Sequence, residues 1–233
     1  MKKYALITGA TGGIGLATAK TLGKAGYSII LNGRNKEAGE KAVKELQDLG
    51  IEVELYLFDV TNEEQILQNF EKISEKYEKL DVLVNNAGGL GGRSRFEEME
   101  TSFYRSVLAL NLDSVFFVTR SAIPLLKKSD YPSIVNFTSI AGWNSGGPGA
   151  GVYGTSKGAV TTLTRALAKD LAEYGIRVNA VSPGTIDTPF HQATKDNNME
   201  LFNSWKNNIL MKRFGEAEEV ASVIEFLVSD KAS

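Results

Sequence analysis

The stretch "YALITGATGGIGLATAK", residues 4–20, decides the reading of the fold. Four apolar residues run into a turn with glycines at positions 9, 12, 13 and 15, and a segment of helical period follows at Ile14–Lys24. Glycines between a strand and a helix permit positive φ and let a backbone approach a pyrophosphate, which then lies at the helix N-terminus among free N–H groups. The turn therefore predicts dinucleotide binding, with Gly9, Thr11, Gly13, Ile14 and Gly15 as its contacts. A tight strand-to-helix turn without a ligand is the simpler alternative, and the order of elements in the rest of the chain decides against it.

Short apolar runs recur at 28–32, 53–58, 81–85, 133–137 and 176–182. Most are apolar on both alternating faces, as strands covered by helices on both sides must be. Helical periods separate them at Lys36–Leu49, Glu63–Lys76, Thr101–Leu126 and Gly158–Tyr174, and a last one covers Glu216–Val228. This alternation predicts an α/β fold: one Rossmann-like domain over residues 1–233, a doubly wound parallel sheet with helices on both faces.

The totals restrict the function. With 26 basic and 28 acidic residues the net charge is −2, which gives no general attraction to nucleic acid or to an anionic membrane. No cysteine is present, so there is no disulfide framework and no thiolate nucleophile, and a cytoplasmic location is the expectation. One histidine, His191, cannot make a histidine metal cluster, so no metal is expected. The N-terminal apolar run is too short for a signal peptide, and no stretch is expected to approach the ~18 apolar residues of a membrane span.

The second apolar run ends in "LNGRN", residues 31–35. An NAD site places a carboxylate near there for the ribose hydroxyls; here Gly33 stands instead and Arg34 follows, a guanidinium suited to a 2′-phosphate. The expected cofactor is NADP, with NAD as the alternative. Asp59 either accepts from the adenine amino group or caps the helix that starts near Thr61.

"VYGTSKGAV", residues 152–160, places Tyr153 and Lys157 four apart, on one helical face. A tyrosine can protonate a carbonyl oxygen if its pKa falls toward working pH, and a lysine charge beside it would lower that pKa. Ser139, just past a strand, offers a hydroxyl to the same oxygen.

Five motifs, "TGATGGIG" (8–15), "NNAG" (85–88), "FTSIAG" (137–142), "YGTSK" (153–157) and "SPGTIDTPF" (182–190), resemble in order and spacing the short-chain dehydrogenases/reductases. The resemblance covers essentially the whole chain. It implies a catalytic set of Asn111, Ser139, Tyr153 and Lys157, with Asn111 binding a water that relays protons to the lysine. It implies cofactor contacts from Val60, Asn86, Ala87, Gly88, Tyr153, Lys157, Pro183, Gly184, Ile186 and Thr188. Asn86 has a strand-end turn, and Thr188 a helix cap, as its alternative or additional role. The resemblance also implies a homotetramer or homodimer, and a further strand and C-terminal stretch beyond "EFLVSDKAS", which this sequence does not contain.

Substrate choice falls to three loops, 88–96, 141–151 and 188–198, which hold Arg93, Arg95, Trp143, Asn144 and His191. Two arginines and a histidine suit a carboxylate, and an asparagine among glycines suits hydroxyls. With the resemblance of "GGPGAGVYGTSKGAV" and "TPFH" to keto-uronate reductases of alginate breakdown, these residues point to a sugar acid. The alternatives are solvated arginines and a solvated loop histidine, with a 3-oxoacyl-acyl-carrier-protein reductase as the second activity. For that activity Lys127 and Lys128 would dock the carrier, but Glu173 and Tyr174 stand where further basic residues would help. A binding protein that senses the cofactor without catalysis is the remaining class, and the intact Asn111, Ser139, Tyr153 and Lys157 argue against it.

Overall fold

The computed structural model describes residues 2–233. Six strands, β1 (Lys3–Ile7), β2 (Tyr27–Gly33), β3 (Val53–Leu57), β4 (Val82–Asn85), β5 (Ser133–Phe137) and β6 (Arg177–Val181), pair in parallel in the order 3-2-1-4-5-6. The chain winds outward from β1 to β3, then returns to the other side of β1. The reversal opens a crevice beyond the carboxyl ends of β1 and β4, where ligands of such sheets bind.

The helices are α1 (Gly13–Lys24), α2 (Lys36–Asp48), α3 (Glu63–Lys76), α4 (Thr101–Leu108), α5 (Ser114–Leu126), α6 (Ala141–Asn144), α7 (Gly151–Asp170), α8 (Gln192–Asn197), α9 (Met199–Asn208) and α10 (Ala217–Val228). Alternation along the central strands divides the core in two. Leu6, Ile30, Leu83 and Ile134 face α3, α5 and α7 through Phe70, Val118 and Leu167. Ile7, Ile29, Val84 and Val135 face α1, α2 and α10 through Leu22, Leu46 and Ile224. Strands apolar on both faces are what two covering layers require.

Helix ends have local causes. The Asn35 side chain accepts from Ala38 N at 2.8 Å to start α2, and Asn62 accepts from Gln65 N at 3.1 Å to start α3. Glu216 and Glu219 form a capping box at α10, and Arg177 of β6 donates to Leu227 O and Ala232 O beyond its other end.

Three sequence expectations are corrected. The helix expected at Gly158–Tyr174 begins at Gly151 and yields at Ala172–Tyr174 to a 3₁₀ turn. Gly151, Gly154 and Gly158 hide its start because glycine is a poor helix former. The loop expected at 188–198 instead carries a 3₁₀ turn, Pro189–His191, and α8, with α9 following. Finally, Thr101–Leu126 is, by length and composition, apolar enough to cross a membrane, although Asn111, Asp113 and Arg120 interrupt its apolar run. Here it flanks the sheet and is broken in the middle by a π-helical turn, Ala109–Asp113.

Candidate active site

The glycine-rich turn is fixed from three sides. Gly9 and Gly13 have φ of 62° and 53°, in the left-handed region. A side chain at Gly9 would strike the Ala87 backbone at 2.9 Å, so the turn lies directly against the loop after β4. Asn86 Nδ2 donates to Thr8 O at 2.8 Å and Gly9 O at 3.0 Å, and Thr8 Oγ1 accepts from Asn86 N and Ala87 N. Asn32 Oδ1 accepts from Gly9 N at 3.2 Å, while its Nδ2 donates to Tyr56 O and Phe58 O. Both amides are thus committed to holding the turn. For Asn86, whose cofactor contact the family pattern implies, the strand-end role accounts for both amide hydrogens.

The other expected cofactor residues surround this turn. Thr11 lays its methyl over Gly33, and Ile14 and Ile186 pack on the core. The Val60 side chain is in the core, leaving its backbone as the exposable group. Pro183 O accepts from Ile140 N, Gly184 has open space above it, and Thr188 is buried with its methyl facing Gly13. Thr188 makes no side-chain cap, so that alternative fails. Arg34 Nη1 lies 3.4 Å from Asp59 Oδ2, and Asp59 Oδ1 accepts from Thr61 N at 2.9 Å. Burial pushes Asp59 up, but its hydrogen bonds to Thr61 and the Arg34 charge outweigh it and hold the carboxyl below its usual range. The cap of α3 is Asn62, so Asp59 closes a turn rather than a helix.

At the other end of the crevice, Lys157 is fully enclosed and donates to Phe137 O at 2.9 Å. Burial pulls its pKa down to about 8. A side chain on Gly88 would meet Asn111 Oδ1 at 2.9 Å and Lys157 Nζ at 3.1 Å, so these three residues converge. Asn111 Nδ2 donates to Gly89 O and Val107 O, and its Oδ1 accepts from Gly89 N. With both amide hydrogens used, Asn111 can only accept from a water.

The Lys157 ammonium stands 5.9 Å from the centre of the Tyr153 ring. Burial raises the Tyr153 pKa, opposed by a hydrogen bond with Ser139. The protein groups therefore do not produce the expected fall in the Tyr153 pKa: enclosure outweighs the hydrogen bond with Ser139. Ser139 Oγ also accepts from Ala141 N at 3.1 Å, fixing it at the end of β5.

Above Tyr153 sits Phe190, with ring centres 6.2 Å apart. His191 is half-buried against Phe190, Phe202 and Trp205, contrary to the solvated loop residue expected. Its pKa is lowered by burial and by Lys195 and Arg93, with Asp187 opposing. Arg93 donates to Pro148 O at 2.8 Å, while Ser94 N donates to Gly149 O, so two loops form one rim. Arg95 is exposed and, among the described residues, unpaired. Asn144 Oδ1 accepts from Gly146 N, closing its own loop. Trp143 is exposed and lines a recess with Thr161, Arg165 and Val178 at the β6 edge, away from Tyr153. Among the described residues no cluster of three metal-binding side chains occurs.

A family model described as enoyl-(acyl carrier protein) reductase matches residues 9–233. The 3-oxoacyl-(acyl carrier protein) reductase FabG of Thermotoga maritima is 40% identical over 231 residues, 99% of this chain and 92% of that protein. This chain is a short-chain dehydrogenase/reductase. A solved structure of an actinorhodin polyketide ketoreductase variant with NADPH superposes with a TM-score of 0.92 at 32% identity, covering 99% of this chain and 92% of that one. An NADH-dependent reductase responsible for alginate metabolism gives 0.89 at 34%, covering 100% and 91%. As a member of this family the protein is an oxidoreductase, with the family's Rossmann-like sheet.

Against that family pattern, several site residues escaped sequence reasoning. Thr8 and Asn32 were signalled only by a polar residue ending an otherwise apolar strand. The π turn at Asn111 left no mark in the helical period. Phe190 read as a loop residue because its 3₁₀ turn and the six-residue α8 that follows are too short to show a helical period.

Proposed function

We propose that this dehydrogenase/reductase is an NADP-preferring carbonyl reductase acting on a small keto acid, a keto-uronate or related sugar acid. Support for the cofactor comes from the open crevice and the end of β2. A Cβ at Gly33 would lie 2.3 Å from the Thr11 methyl, so a ribose-binding carboxylate there would require Thr11 to shift, whereas Arg34 is largely exposed beside the site. The Arg34–Asp59 contact would be exchanged for a 2′-phosphate, with NAD(H) the weaker fit.

When bound, the dihydronicotinamide supplies a hydride to the carbonyl carbon. Ser139 and Tyr153 hold the carbonyl oxygen, and Tyr153 passes its hydroxyl proton to that oxygen as it becomes the alcohol. A raised Tyr153 pKa keeps this proton in place at neutral pH, which suits reduction. Lys157 stabilises the tyrosinate left behind, and a water accepted by Asn111 leads to its replacement proton.

The observation that favours an acidic substrate is Arg93. It is anchored by one nitrogen to Pro148 O in the loop that leads into α7, it has no carboxylate partner among the described residues, and it lies close enough to His191 to shift its titration. A substrate carboxylate is the complementary group. The second reading, a 3-oxoacyl-acyl-carrier-protein reductase, is favoured by the FabG relative at 40% identity. Against it, Lys127 lies over the Tyr174 ring at 3.3 Å, engaged within the molecule. Initial rates of NADPH oxidation with a keto-uronate and a β-ketoacyl thioester side by side decide. Uronate turnover is expected, with KM raised about tenfold or more by Arg93→Ala. Thioester turnover alone contradicts it.

The same reading holds that residues 1–233 act as one domain and assemble as a homotetramer or homodimer in the cytoplasm. The partly exposed Tyr104 and Phe116 of the long helix support assembly. Light scattering that gave a monomer would refute it.

A further inference from the structure

The π turn at Ala109–Asp113 carries a residue outside the catalytic set. Ser114 N bonds Ala109 O, five residues back, and such widening changes which backbone donors reach the neighbouring carbonyls. Two side chains donate to carbonyls at this turn. Asn111 Nδ2 donates to Val107 O at 2.9 Å and Ser114 Oγ donates to Leu110 O at 2.6 Å, each four residues past its acceptor. Hydroxyls bond in the same way in the regular helix α7, at Thr161 and Thr164, so the bond alone means little. Ser114 differs in place: it is buried and closes the wide turn whose middle residue is Asn111.

We propose that Ser114 is a positioning residue, whose hydroxyl, by holding Leu110 O, keeps the wide turn open and fixes Asn111 against Gly88, Gly89 and Lys157. The Asn111 side chain has both amide hydrogens committed, so its position at the site follows the path of the turn rather than a free rotamer. Closing the turn to a regular helix would rotate the following residues and carry Asn111 away from Gly89, to which it makes two bonds. The inference rests on the assignment of Asn111 and Lys157 to the proton path.

The test compares Ser114→Thr with Ser114→Val, equal in shape and different only in the hydroxyl, and adds Ser114→Ala. The expected result is a kcat about tenfold lower in the valine and alanine variants, with KM for NADPH unchanged and a larger solvent isotope effect, while threonine retains the wild-type values. Equal kcat and isotope effect in the threonine and valine variants, with only Tm altered, would overturn it, and this pair remains decisive if the alanine variant does not fold. Tyr153→Phe in parallel separates the two claims: retained turnover there refutes the catalytic assignment itself, whatever Ser114 does.

Discussion

Lys157 is where stability and chemistry oppose each other most directly. An enclosed ammonium with one carbonyl partner has its pKa drawn from 10.5 to about 8, a penalty of about 3 kcal/mol on the charged form. Because the folded pKa is the lower one, the penalty is full below pH 8 and fades as pH rises from 8 toward 10.5. Lys157→Met should therefore raise Tm at pH 7 by about 2–6 °C while removing turnover, a result checked by calorimetry and initial rates. The proposed mechanism needs the ammonium, so the reduction rate should fall on an alkaline limb near pH 8. A carbonyl-reduction rate flat to pH 10 would contradict this. Tyr153 shows the same tension from the acidic side, since its burial raises the pKa that a purely sequence-based argument expects to fall.

Among the elements, α7, which carries Tyr153 and Lys157, packs on α6 through close contacts that only glycine permits. A Cβ on Gly154 would sit 2.7 Å from the Ala141 carbonyl, and one on Gly142 3.0 Å from the α7 backbone. Gly154→Ala should push α6 off α7, destabilise by about 1–3 kcal/mol in urea unfolding, and lower turnover by displacing Tyr153 against Ser139. Unchanged stability would show that the two helices can separate freely. These contacts explain what the sequence could convey. Strand positions and the two-layer cover were legible because their residues must be apolar on both faces. The gathering of Tyr153, Lys157, Ser139 and Asn111 in one place was legible by motif. The start of α7 was hidden by the glycines that make its packing work. The π turn was hidden because one wide turn barely alters a helical period. The partial burial of His191 was hidden because aromatic neighbours separated in sequence, Phe202 and Trp205, enclose it only in three dimensions.

For the molecule as a whole, the sheet reversal between β1 and β4 opens the crevice, and the proposed function assigns the choice of substrate to the loops around it. Two of those loops are bonded at Arg93 and Ser94; the segment carrying Phe190 and His191 is anchored where Asp187 N donates to Gly215 O and Gly215 N to Thr185 O. Tyr153 lies beside Phe190 and is hydrogen-bonded with Ser139, and the proposed function brings the carbonyl to these two hydroxyls. The proposed mechanism depends on Tyr153 being the proton donor. The most direct measurement is the turnover and NADPH affinity of Tyr153→Phe beside the wild type on a reducible keto acid. The prediction is unchanged affinity with kcat lowered by about 100-fold or more. Turnover equal to the wild type, or no turnover in the wild type itself, would contradict it.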